Sequence, residues 1–70
     1  MKVLNKDFEI DGVKTPLVCD VNGIVYVVVH NSVHNVEGSV NKPSIGEKIA
    51  DVVSAKGGKN GITNITVKYL

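Results

Sequence analysis

The residues with the most chemical potential lie in HNSVHN, residues 30–35. His30, Asn31, Ser32, His34 and Asn35 offer hydrogen-bond donors and acceptors directly after the apolar run IVYVVV. A loop placed by a strand is a common position for ligand-binding residues. The alternative is a loop whose Asn and Ser side chains bond their own backbone. The spacing leaves both interpretations open.

Metal binding would have to use Cys19, His30 and His34, which are the cysteine and the histidines of the chain. A zinc site needs three or four ligands that converge at about 2.0 to 2.3 Å. The sequence supplies no clear fourth ligand, and a single cysteine often acts as a small buried hydrophobe. We therefore predict no metal and no cofactor.

Catalysis has little support in the sequence. No serine lies in a nucleophile-elbow motif, and no histidine has an acidic partner at a recognisable spacing. Asp7, Glu9 and Asp11 cluster near the start of the chain, but strand alternation and a turn explain them. We expect a protein that is not an enzyme.

The glycine-rich stretch KGGKNG, residues 56–61, resembles a phosphate loop in composition. Phosphate loops precede a helix, whereas we expect this stretch to follow one and to meet its carbonyl end. Lys56 and Lys59 remain candidate ligand-binding residues, because together with Lys42 and Lys48 they could form a mild basic patch for an anionic ligand. A solvated surface is the alternative.

Composition limits the possible functions further. Seventy residues make one domain, 1–70, and a chain of this size buries only about 60% of its unfolded surface. Eight lysines balance seven acids, and the absence of arginine together with three aromatic residues argues against nucleic-acid binding.

The N-terminal region predicts the location. Asn5, Lys6 and Asp7 interrupt any apolar segment of a signal peptide. No run approaches the roughly 20 apolar residues of a membrane span. We expect a cytoplasmic protein with no membrane contact.

Two dipeptides organise the first half of the chain. Asp11-Gly12 and Asn22-Gly23 are typical of two-residue hairpin turns and predict strands over residues 2–10, 13–21 and 24–31. This register places Ile10 opposite Val13, and Cys19 opposite Tyr26.

The second half predicts a helix and a final strand. Ser44 and Glu47 have the spacing of a capping box, and the apolar residues Ile45, Ile49, Val52 and Val53 follow with helical spacing. Gly57-Gly58 would end the helix, and ITNITVKYL alternates like a strand. The expected fold is α+β: a small antiparallel sheet with one helix packed on one face, in the order β-β-β-α-β.

One helix cannot cover both faces of this sheet. We therefore predict an exposed apolar patch of Val18, Val25, Val27 and Val29 that forms a homo-oligomer, most simply a dimer, or contacts a partner protein. The alternative is that another segment of the chain covers the valines.

These features together predict a non-enzymatic homo-oligomeric binding module. It would act through protein–protein contact as a regulatory or inhibitory accessory protein, of a size plausible for phages. The alternative is a protein that binds or sequesters a small ligand, a nucleotide or other polar metabolite, in a pocket at the subunit interface.

Overall fold

Six antiparallel strands, each paired with the next along the chain, form the whole protein. A computed structural model describes the backbone of residues 1–70 and every side chain except that of Asn5. The strands are β1 (Lys2–Ile10), β2 (Val13–Cys19), β3 (Val25–Val29), β4 (Ser32–Ser39), β5 (Lys42–Gly58) and β6 (Gly61–Tyr69). The described backbone contains no helix, so the predicted α+β fold is wrong.

The sheet closes into a barrel where the first strand meets the last. Lys2 pairs with Asn64. The amino group of Met1 donates to the carbonyl of Ile65 at 2.9 Å, and the N–H of Ile65 donates back to the carbonyl of Met1 at 3.0 Å. This double exchange defines a hydrogen-bonded antiparallel pair, and Lys2 and Asn64 form the non-hydrogen-bonded pair beside it.

Residues 44–56, predicted to be helical, belong to the long strand β5. Ile45 pairs with Val36 of β4, and Val52 pairs with Val67 of β6. The pairing of β5 with β4 shifts on both sides of Lys48, and its pairing with β6 shifts between Val52 and Ser54. Such bulges break the strict alternation of a strand. Apolar residues then recur at uneven intervals that imitate a helical stripe.

The first predicted hairpin is confirmed in detail. Asp11 and Gly12 both have positive φ, 52° and 79°, as a type I′ turn requires. Ile10 lies opposite Val13, and Phe8 lies opposite Thr15. The hydroxyl of Thr15 also donates to the carbonyl of Phe8 at 2.9 Å.

The second predicted hairpin is wrong by one residue. The Oδ1 atom of Asp20 accepts from the backbone N–H of Asn22 at 2.8 Å and of Ile24 at 3.2 Å, which makes the loop longer than a two-residue turn. Cys19 therefore pairs with Val25 instead of Tyr26. A slip of one residue moves every side chain of a strand to the other face.

A third hairpin replaces the predicted 30–35 loop. His30 and Asn31 both have positive φ, 47° and 63°, and Val29 pairs directly with Ser32 across this turn. The remaining residues of the predicted loop lie in β4. Asn adopts positive φ more readily than most residues, but the preceding histidine is a weak turn signal.

The core occupies the interior of the barrel and is small. Its buried residues come from five strands: Val3, Val18, Val33, Ala50 and Ile65. Val27 is also fully buried. Because Val18 pairs with Tyr26, Val27 lies on the opposite face from Val18. The middle of the sheet is thus buried on both faces by the chain itself.

Glycine is required in the hairpin that joins β5 to β6. A Cβ atom at Gly57 would collide with the backbone of Gly61 and would lie 2.6 Å from the Cα of Ile62. At Gly58 a Cβ atom would meet nothing within 4 Å.

These two neighbours provide a matched test of the hairpin. We expect Gly57→Ala to lower the free energy of unfolding by about 2 kcal/mol, because the backbone must move to make room. Gly58→Ala should change it by less than about 0.5 kcal/mol. Urea unfolding of both variants measures the difference. Equal effects of the two substitutions would contradict the strand pairing described for this hairpin.

Candidate ligand-binding cavity

Two hairpins project beyond their neighbours at the same end of the barrel. The pairing of β2 with β3 covers Leu17, Val18 and Cys19, whereas β1 and β2 stay paired out to Ile10 and Val13. Similarly, the pairing of β4 with β5 ends at Ser32 and Asp51, whereas β5 and β6 stay paired out to Gly58 and Gly61. We call residues 7–16 the first arm and residues 54–63 the second arm.

A cavity of about 500 Å³ lies between the two arms. Its inner wall is apolar and comes from the barrel interior: Val3, Val28, Val52 and Ile65. Pro16 contributes from the first arm, and Ala55 and Ile62 from the second. Gly61 and three polar residues, Asp7, Asn31 and Asn60, complete the lining. An apolar pocket of this size with a few polar groups is typical of small-molecule sites, which often occupy the mouths of barrels.

Burial separates the base of the cavity from its mouth. Val3 and Ile65 are each 5% exposed, whereas Asp7 and Asn60 are exposed to solvent. Asn31 is held at the wall by its backbone, because the N–H of Val52 donates to its carbonyl at 2.8 Å. The polar groups of the lining therefore lie at its mouth, beside the exposed Ala55 and Ile62, and its most buried groups are apolar.

The predicted HNSVHN residues do not form one site. Asn31 lines the cavity, and His30 is exposed beside it in the same turn. Ser32 pairs with Asp51 at the start of β4. His34 and Asn35 lie further along that strand, opposite Val27 and Tyr26. The structure thus places one of the five predicted residues in the lining.

His34 has a structural contact of its own. Its Nδ1 atom lies 3.0 Å from the carbonyl oxygen of Gly46. Because a carbonyl oxygen only accepts, the proton of this hydrogen bond must be on Nδ1. The contact fixes the ring against β5, away from the cavity.

Lys56 and Lys59 lie on the second arm but do not line the cavity. Lys56 pairs with Asn64, next to the pair formed by Ala55 and Ile65. Neighbouring pairs point to opposite faces, so Lys56 faces away from the cavity that Ala55 lines. Lys59 is exposed in the turn at the tip of the arm.

The potential metal ligands do not converge among the described side chains, where no group of three or more His, Cys, Asp or Glu could hold an ion. The thiol of Cys19 lies 3.5 Å from the carbonyl oxygen of Asp20. His30 lies in the turn after β3, whereas Cys19 ends β2.

The predicted valine patch is not a single exposed surface. Val18 and Val27 are fully buried on opposite faces of the sheet. Val25 is 40% exposed, and Val29 is partly buried. Val18 and Val27 therefore do not contribute to an exposed surface in this chain. A subunit contact through Val25 and Val29 stays a prediction.

A second cavity, of about 660 Å³, lies at the opposite end of the barrel, beside Met1, Lys2, Asp20 and Tyr69. Burial raises the pKa of the nearby Tyr26, and the negative charges of Asp20 and ionised Tyr69 raise it further. Exposed residues form much of this cavity, including Val21 and Tyr69. Ile65 lines both cavities, but the cavity between the arms adds Val3, Val28 and Val52 to its apolar wall.

Asp7, Asn60 and Ala55 are lining residues that sequence reasoning missed. Asn60-Gly61 was a usable signal, because Asn-Gly often marks a hairpin turn, and Gly61 has a φ of 105°. Asp7 carried no such signal, since its place depends on the pairing of distant strands.

No model of a known protein family, no curated protein and no solved structure matches this chain. In the described backbone no helix has the length and apolar character needed to cross a membrane.

The burial of Val27 gives a direct test against the predicted exposed patch. Val27→Ala should lower the free energy of unfolding by about 2 kcal/mol, because two buried methyl groups are lost. Val21→Ala is the control, since Val21 is fully exposed, and it should change stability by less than about 0.5 kcal/mol. Guanidinium unfolding measures both. Val27→Ala with wild-type stability would mean that Val27 is not buried within the chain.

Proposed function

We propose that this protein is a non-enzymatic binding protein that takes one small, largely apolar molecule into the cavity between its arms. The observation that carries this proposal is the cavity itself, whose apolar inner wall continues the core of the barrel. A cytoplasmic location belongs to the same proposal and rests on the sequence.

The inner wall favours an apolar ligand over a nucleotide. Val28, Val52 and Ile65 offer no hydrogen bonds from their side chains, so a polar group buried against them would lose its contacts with water. Apolar surface buried there is favourable by roughly 25 cal/mol per Å² before the costs of binding are subtracted. The polar residues at the mouth would then orient the ligand.

The site lies within one chain, which differs from a pocket at a subunit interface. Both arms, the β3–β4 turn and the inner wall come from the same 70 residues. The proposed binding therefore does not require a dimer. Lys56 and Lys59 lie on the second arm outside the cavity, so their charges would act on a ligand only at longer range.

Filling the cavity tests this proposal. The neutral dye N-phenyl-1-naphthylamine fluoresces more strongly in apolar surroundings and should bind the parent protein with one site per chain. Ala55→Trp should weaken dye binding at least tenfold, because the indole ring would occupy the space that the dye needs. Fluorescence titration measures the affinity.

Ser54→Trp is the matched control. Ser54 pairs with Thr66, so its side chain lies on the opposite face of the arm from Ala55 and does not line the cavity. This variant should bind the dye like the parent. Failure of the parent to bind, or equal weakening by both tryptophans, would contradict the proposed site.

A further inference from the structure

The lining of the cavity between the arms carries charge of one sign only. Asp7 is the one ionisable side chain among the described residues that line it. Asn31 and Asn60, the other polar side chains there, are uncharged amides that both donate and accept hydrogen bonds. The lining therefore offers a ligand one negative charge and no positive charge.

The register of the first arm directs Asp7 toward the cavity. Asp7 pairs with Pro16, which lies two residues before Val18 and so on the same face of β2. Val18 belongs to the barrel core. Asp7 therefore lies on the same face of the sheet as the barrel interior. Its position is at the mouth of the cavity, where its carboxylate is in contact with water.

Neighbouring lysines do not form an ion pair with this carboxylate. The ion pair found among the described side chains joins Lys48 and Asp51 and does not include Asp7. Lys14 lies across from Glu9, on the same face of the arm as Asp7 and two residues nearer the tip, and it forms no ion pair with Asp7. Lys56 faces away from the cavity, as its pairing with Asn64 shows.

We propose that the ligand is an amphipathic cation, an amine whose protonated head binds Asp7 and whose apolar body occupies the inner wall. This inference rests on the proposed function, since it names the ligand class for the same cavity. The carboxylate and the apolar wall lie at opposite depths, which matches a molecule with one charged end. The amides of Asn31 and Asn60 complete the hydrogen bonds of the ammonium group. A carboxylate ligand is disfavoured because its charge would face Asp7 with no cation beside it.

Three probes of equal chain length test the charge preference: n-octylamine, n-octanol and n-octanoate. Each is titrated against the protein loaded with N-phenyl-1-naphthylamine, and displacement of the dye gives its affinity. The parent should bind octylamine roughly fivefold more tightly than octanol, a modest preference because Asp7 is solvent-exposed, and octanoate most weakly. Asp7→Asn should remove the preference for the amine over octanol.

Glu9→Gln is the matched control, because it removes the same charge from the same strand without touching the lining. This variant should keep the preference for octylamine. A preference that survives Asp7→Asn, or that Glu9→Gln reduces equally, would overturn the assignment to Asp7. If octanol binds as well as octylamine in the parent, the inference fails while the proposed cavity stands. If neither the dye nor any probe binds, both fail.

Discussion

The pairing of Met1 and Lys2 with Ile65 and Asn64 is the contact on which the rest of the structure depends. It joins residues at opposite ends of the chain, so the entropy of closing almost the whole chain into a ring is lost when it forms. In return, Val3 and Ile65 become part of one interior together with Val18, Val33 and Ala50. The closure also shields edge backbone groups that an open sheet would expose.

The cavity is a consequence of that closure. Beyond Lys2 and Asn64, β1 and β6 continue as members of two different hairpins, and the register of β1 on β2 shifts between Val3 and Asp7. The arms that result project on either side of the barrel mouth. Apolar residues from the core and a few polar residues from the arms then face the same space. The proposed binding site arises here from strand lengths that do not match.

The valine-rich run in residues 24–31 belongs to a strand whose neighbourhood is buried on both faces. Closure of the barrel buries the Val18 face, and Val27, on the opposite face, is also fully buried within the chain. The alternative of cover within the chain therefore accounts for Val18 and Val27. Val25, with part of its surface exposed, remains available to a partner.

Local chemistry was predictable from the sequence, and long-range geometry was not. Asp11-Gly12 fixes its turn through backbone angles alone, so the first hairpin and its register were predicted correctly. The side chain of Asp20 lengthens the loop between β2 and β3 through two hydrogen bonds. The register of these two strands therefore differs by one residue from the predicted register. In β5, bulges on both sides of Lys48 accompany the helix-like spacing of Ile45, Ile49 and Val52.

The residues of the candidate site were also predictable only where local sequence determines their position. Asn31 was predicted as a binding residue from its polar surroundings, although the loop assumed for it is a tight turn. The proximity of Asp7 and Ala55 could not be predicted from the sequence, because it requires the closure of the barrel.

The most direct measurement of this account is a nuclear Overhauser spectrum of the assigned protein. In a non-hydrogen-bonded antiparallel pair the two α-protons lie close together, so Lys2 and Asn64 should give a strong Hα–Hα cross-peak. Val52 and Val67 should show cross-strand contacts in the same spectrum. Absence of the Lys2–Asn64 cross-peak, with contacts between residues three apart within 44–56, would instead indicate an open sheet with a helix and would contradict the barrel and its cavity.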